Sequence, residues 1–150
     1  MMDAILQHVE HEPSGLDDLT YGGVTCSTRQ RRPDGIWIGS ENAIILELDE
    51  DSHASRQSSC ELAKVTETAY ALKQLMGRTS YRTDTLRVGS LDVARAPAIA
   101  RVINSWLHTP DENGSALLPN VGYIHYGKAG AKHINYALGH AGTSVGILYP

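Results

Sequence analysis

Phenylalanine is absent from this 150-residue chain, and two tryptophans and seven tyrosines are all the aromatic rings it has beside histidine. Trp37, Trp106 and the tyrosines must therefore supply the aromatic part of any core. Cysteine is scarce as well. Cys26 and Cys60 lie far apart and form no CxxC pair, which argues against a disulfide framework and against a cysteine-based zinc site. Reduced thiols are the expectation, with Cys26 as a packing residue and the chain in an intracellular compartment, cytoplasmic or nuclear. No apolar run approaches the roughly 20 residues that span a bilayer, so no membrane segment is expected. The first twelve residues carry acidic side chains and no basic stretch, unlike a secretory leader. A basic surplus is missing too: the formal net charge is -4, which speaks against avid, non-specific binding to a polyanion.

What is present is the composition of a globular domain. With 41% hydrophobic and 20% charged residues, the chain has enough apolar surface to bury and is not dominated by charge, so wholesale disorder is excluded. Its length suits one domain that builds its core without metal or disulfide staples. The charges are unevenly spread. Eleven of the thirteen Lys and Arg residues fall between Arg29 and Arg101. Acidic residues gather near the N-terminus, at 47–51 and at 111–112. A basic surface beside an acidic pocket suits a protein that handles phosphate esters with a cation, although a solvated mixed-charge surface accounts for the same counts.

Periodicity places the elements. Residues 3–12 predict a short helix stopped by Pro13, and 13–23 a loop. The runs 35–39 and 43–49, separated by Ser40-Glu41-Asn42, predict a β-hairpin whose second strand is apolar on both faces and therefore central. Ser58-x-x-Glu61 predicts a capping box opening a helix. The stripe of that helix is Leu62, Val65, Ala69, Leu72 and Met76, and Gly77 is its stop. A strand is expected at 85–88, and a helix at 97–107 with Ile99, Val102, Ile103 and Trp106 buried. The last strand is expected at 121–126. Residues 131–150 are a Gly-rich C-terminal segment, of which Gly139 to Gly146 reads as a loop or poorly ordered end. The order predicts an α/β (α+β) domain, a central mixed β-sheet flanked by helices.

The chemistry concentrates in Arg31-Arg32-Pro33-Asp34, twelve further residues, Glu47-Leu48-Asp49, and then His53. Side chains alternate along a strand, so Glu47 and Asp49 share a face. A hairpin would bring Asp34 to the same end. Three carboxylates crowded together are costly unless a cation joins them, and Mg²⁺ or Mn²⁺ favours such oxygen donors. Other motifs carry less. Gly127-Lys128-Ala129-Gly130 lacks phosphate-loop spacing, and His125, His133 and His140 have no HExxH arrangement.

Arg-Pro-Asp, a spacer, an apolar strand ending Glu-x-Asp and a following histidine resemble the PD-(D/E)xK nuclease superfamily. Within it they are similar to the very-short-patch-repair-like and EDxHD endonuclease branches, and to related proteins of large DNA viruses. The likeness covers about residues 30–130, with 1–29 as an N-terminal helix and loop. It implies a restriction-endonuclease-like core and a metal-dependent endonuclease that hydrolyses phosphodiester bonds in DNA. It also implies Asp34, Glu47 and Asp49 as metal-binding carboxylates and His53 as the residue that moves protons. Asp49 stands where the superfamily's lysine would be, and Lys64 on the next helix is a candidate for that role. Glu10 or Glu12 would correspond to an acidic residue contributed by an N-terminal helix in repair-type members. Arg29, Arg31, Arg32 and Arg56 would contact the DNA backbone. A homodimer is compatible with all of this. Two alternatives stay open: a nuclease-like fold that has lost catalysis and serves binding or assembly, and a hydrolase of small phosphorylated substrates.

Overall fold

Residues 1–14, 33–39, 42–53, 56–77, 81–108, 120–140 and 144–148 are described by the structure, a computed structural model. The consecutive apolar residues Ala43-Ile44-Ile45-Leu46 lie in the expected central strand, β2 (Asn42–Leu48), and are all buried. β1 (Gly35–Ile38) runs antiparallel to it as the hairpin predicts, with Ile36 opposite Ile45 and Gly35 opposite Leu46. On its other side β2 pairs in parallel with β3 (Arg82–Val88). That strand pairs in parallel with β4 (Asn120–Ile124), and β4 with β5 (Ser144–Leu148). The five strands stand in sequence order, a mixed sheet flanked by helices.

Alternation sorts the side chains between two layers. Even-numbered residues of the central strands, Ile44, Leu46, Leu86, Val88 and Ile124, join Trp37 in one core. They pack against Ile5 of α1 (Met2–Leu6) and Ile99, Ala100 and Ile103 of α3 (Ala96–His108). Odd-numbered residues face the other layer. There Ala43 and Ile45 meet Leu72 of α2 (Ser58–Met76), while Val121 and Tyr123 meet Leu62 and Val65 of α2 and Ala137 of α4 (Ala131–Leu138). Strands in sequential parallel order with α2 and α4 on one face and α3 on the other require the α3 crossover to have the opposite hand to its neighbours. This departs from the uniform right-handedness of most such connections.

Several expectations are corrected. The Gly-rich C-terminal segment holds α4 and the parallel strand β5, which begins at Ser144 within the stretch read as loop, so 121–126 does not hold the last strand. The N-terminal helix closes at Leu6 rather than Glu12, because the residues beyond it bond along β1. The Trp37 indole donates to the His11 carbonyl at 2.9 Å, and Ser14 N–H to the Ile36 carbonyl at 2.7 Å. The capping box does not form. Gln57 is the N-cap of α2 and makes no side-chain capping bond, and both Ser58 and Glu61 are drawn to other partners. The stop at Gly77 is as expected, in the left-handed conformation at φ 66°. Cys60 is disulfide-bonded rather than the expected free thiol; Cys26 lies outside the described residues. Among the described residues, no helix is long and apolar enough to cross a membrane.

Candidate functional site

β2, β3 and β4 run in parallel, so their carboxyl ends share one edge of the sheet, the edge where open α/β sheets collect ligands. Across this edge Glu47 is the lateral partner of Arg87, and Arg87 that of Tyr123. All three have odd numbers and so point to the α2 side.

Asp34 arrives by the hairpin. Its backbone N–H donates to the Leu46 carbonyl at 3.1 Å, and its Oδ2 accepts the Leu48 N–H at 2.7 Å. One step beyond the Gly35–Leu46 pair, the same register sets Asp34 opposite Glu47 on the same face. The two carboxylates are near enough to interact electrostatically, but among the described residues Asp34, Glu47 and Asp49 do not form a close group of three metal-type donors. Among the described residues the Glu47 side chain makes no hydrogen bond and no ion pair. Burial pushes its carboxyl up from an ordinary 4.5 to about 8; Arg87 and Lys64 pull against this, while Asp49 and Asp34 add to it. An unpartnered acid beside two other carboxylates is a place where positive charge is wanted.

Asp49 has a different environment. It is fully buried, and Arg87 grips it with two nitrogens, Nε to Oδ2 at 2.7 Å and Nη2 to Oδ1 at 3.1 Å. The Tyr126 hydroxyl donates to the same carboxylate. Arg87 also donates to the Glu61 carboxylate from Nη2 and to the Glu61 carbonyl from Nη1 at 3.0 Å. For Arg87, burial works against the charge, but Asp49, Tyr126 and Glu61 more than offset it and hold the guanidinium firmly protonated. Burial likewise works against the Glu61 carboxylate, yet its bond with His53 and the charge of Arg87 bring it down to about 2.

His53 completes this group. Its Nδ1 lies 2.7 Å from Glu61 Oε2 and 3.3 Å from Asp49 Oδ1. A carboxylate only accepts, so Nδ1 donates to Glu61, and Nε2 carries a lone pair whenever the ring is neutral. The side chain is 12% exposed, enough to meet solvent. Its backbone is held in an uncommon conformation, with φ of 54° at Ser52 and 49° at His53. The His53 carbonyl accepts from His133 Nε2 at 2.7 Å, whose Nδ1 in turn contacts Ser58 Oγ at 2.9 Å. Two glycines let this turn sit down: a Cβ on Gly130 would fall 2.2 Å from Ser52 Cβ, and one on Gly89 2.4 Å from Ser52 Oγ.

Asp49, His53 and Glu61 thus form a buried set whose ligand atoms all lie within 4.8 Å, a group able to hold a metal ion. The guanidinium of Arg87 already stands among them. Of the other expected residues, Arg56 is half-exposed with Nη1 3.8 Å from Glu61 Oε1, at the rim of this group. Lys64 on α2 is near enough to lower both Glu47 and Glu61. Glu10 and Glu12 are not brought here. Glu10 contacts His108 at the end of α3, whose neighbour Trp106 accepts through its carbonyl from Asn42, the first residue of β2. Glu47 is five residues along that strand, roughly 16 Å away at about 3.3 Å per residue. Glu12 follows His11, which is fastened to Trp37 on the α1 and α3 side. Arg29, Arg31 and Arg32 lie outside the described residues.

Sequence reasoning missed Arg87, Glu61, Tyr126 and His133. Arg87 had a signal, since a cation between Leu86 and Val88 in a buried strand needs an anion inside the protein. Glu61 was concealed by its fit to a capping box. Comparison of the chain with protein-family models, curated proteins and solved structures gives no match, so the functional argument rests on this geometry.

Proposed function

We propose that the chain is a divalent-cation-dependent phosphodiesterase, an endonuclease acting on DNA, with a restriction-endonuclease-like core. The observation that carries this reading is Glu47: an acid raised to about 8, without a partner among the described residues, set opposite Asp34 at the carboxyl ends of parallel strands. The donors are oxygens at a half-buried edge, which suits Mg²⁺ or Mn²⁺ with several waters retained. Such an ion would supply charge stabilisation at a phosphoryl oxygen and a more acidic water.

The chain's own residues divide the remaining work. Asp34 and Glu47 hold the cation. His53, oriented through Nδ1 by Glu61, presents Nε2 as the base that receives a proton or the acid that returns it. Lys64 adds positive charge near Glu47, where the superfamily's strand lysine would place it. Asp49, which the resemblance implied for the metal shell, serves in this reading as a buttress that keeps Arg87 and the 49–53 turn in position. The arginines at 29, 31, 32 and 56 would hold the nucleic-acid backbone.

The test is nicking of supercoiled plasmid with Mg²⁺, Mn²⁺ or EDTA by the parent chain, Glu47→Gln and Asp34→Asn. The expected result is cation-dependent nicking lost in both variants; activity that survives Glu47→Gln refutes the assignment. Arg87 favours a second reading, a nuclease-like fold kept for binding or assembly, because the guanidinium occupies the Asp49–Glu61 pair. In that case DNA affinity, and stability, would be indifferent to EDTA.

A further inference from the structure

A second set of metal-type donors stands on the other face of the sheet, at the edge remote from Glu47. Glu10 and His11 follow α1, and His108 closes α3. The ligand atoms of these three residues all lie within 4.8 Å of one another, and all three side chains are exposed. Glu10 Oε2 is 2.6 Å from His108 Nε2, and the two imidazole rings are 5.8 Å apart, tilted by 55°.

The backbone beneath this trio is fixed from both sides. Asn104, one turn before His108 on α3, accepts the Glu10 N–H at 2.9 Å and donates to the His8 carbonyl at 3.0 Å. The His11 carbonyl accepts from the Trp37 indole at 2.9 Å. A loop and a helix end nearly a hundred residues apart in sequence are thus held in register by contacts that do not involve the three donors.

The geometry points to a surface site for a borderline transition-metal ion of the Zn²⁺ class, held by His11, His108 and Glu10 with the remaining coordination left to water. Two imidazoles and one carboxylate suit Zn²⁺, Co²⁺, Ni²⁺ or Cu²⁺ and do not suit Mg²⁺, which prefers oxygen alone. Binding would clip the N-terminal segment to α3. The site is separate in chemistry and position from the Asp34–Glu47 pair, so it stands or falls independently of the phosphodiesterase reading.

The test uses the full chain without an affinity tag, titrated with Zn²⁺ by calorimetry and with Co²⁺ by visible absorption, in the presence of millimolar Mg²⁺. One equivalent is expected to bind His11, His108 and Glu10 despite the Mg²⁺, and to raise the unfolding temperature. An outer-shell partner alone is typically worth about 10–100-fold in metal affinity. His11→Ala and His108→Ala should therefore each weaken binding by at least that factor, and Asn104→Ala by about tenfold. All three positions are at the surface, and circular dichroism will confirm that the variants fold. His53→Ala, which touches the other cluster, should leave this equivalent unchanged. No binding, binding untouched by His11→Ala and His108→Ala, or binding lost only in His53→Ala would overturn the assignment.

Discussion

Glu47 and Arg87 are lateral partners on adjacent parallel strands, yet the guanidinium spends its hydrogen bonds on Asp49 and Glu61 and gives none to Glu47. Two carboxylates thereby share one guanidinium inside the protein, and the Glu47 carboxyl has no hydrogen-bonded cation among the described residues. The division assigns a structural role to Asp49 and Glu61 and a binding role to Glu47.

Arg87→Met is expected to be severely destabilising. It leaves two buried carboxylates without their cation, and breaking a buried pair from one side costs about 3–5 kcal/mol. Arg87→Lys keeps the charge but cannot make the two-nitrogen grip on Asp49, so it should fall between parent and Met. Urea unfolding at neutral pH checks both.

Glu47 sets a pH dependence with a defined sign. Its folded value of about 8 lies above the ordinary 4.5, so the folded chain binds more protons than the unfolded one between those limits. Its contribution is fully present below about 4.5 and is lost as pH rises toward 8. Glu47→Gln should flatten this part of the stability profile and leave the variant more stable than the parent above pH 8. Cation binding should show the converse in the parent, strengthening by up to about tenfold per pH unit between 6 and 8 because the ion needs the deprotonated acid. Thermal unfolding across pH 5–9, with and without Mn²⁺, measures both effects.

Glu61 behaves in the opposite way. Its folded value of about 2 is below 4.5, so its contribution is present above pH 4.5 and is lost as pH falls toward 2. Glu61→Gln should abolish that portion of the acid transition, and should also disorient His53. The second effect predicts a larger loss of nicking activity than of cation affinity. Acid unfolding followed by near-ultraviolet circular dichroism, beside a Mn²⁺ titration, separates the two.

Gly130→Ala is expected to displace the 49–53 turn, since the new Cβ would meet Ser52 Cβ at 2.2 Å. Overpacking of this kind costs about 1–3 kcal/mol. Gly127→Ala, three residues earlier in open space, is the control and should be near neutral. Differential scanning calorimetry of the two variants decides.

Much of the fold was legible along the chain. The doubly apolar run 43–46 announced a central strand, the 3–4 spacing from Leu62 to Leu72 announced α2, and Gly77 announced its end. The C-terminal helix and strand were not legible, because Ala131–Leu138 is only eight residues long and Gly146 interrupts the apolar run of Ser144–Leu148. The candidate site was half legible. Asp34 and Glu47 follow from a hairpin and the two-residue alternation of strands. His53 as the bearer of a free Nε2 does not, since that depends on Glu61 holding Nδ1.

The sequence by itself determined which residues alternate, which stripe is apolar and where the backbone turns, because these properties depend on neighbours within a few positions. Only the tertiary structure decided that Arg87, thirty-eight residues from Asp49, would claim that carboxylate while giving no hydrogen bond to its own lateral partner Glu47. Charge pairing in a buried layer is settled by which side chains share a small volume. Separation along the chain carries no information about that.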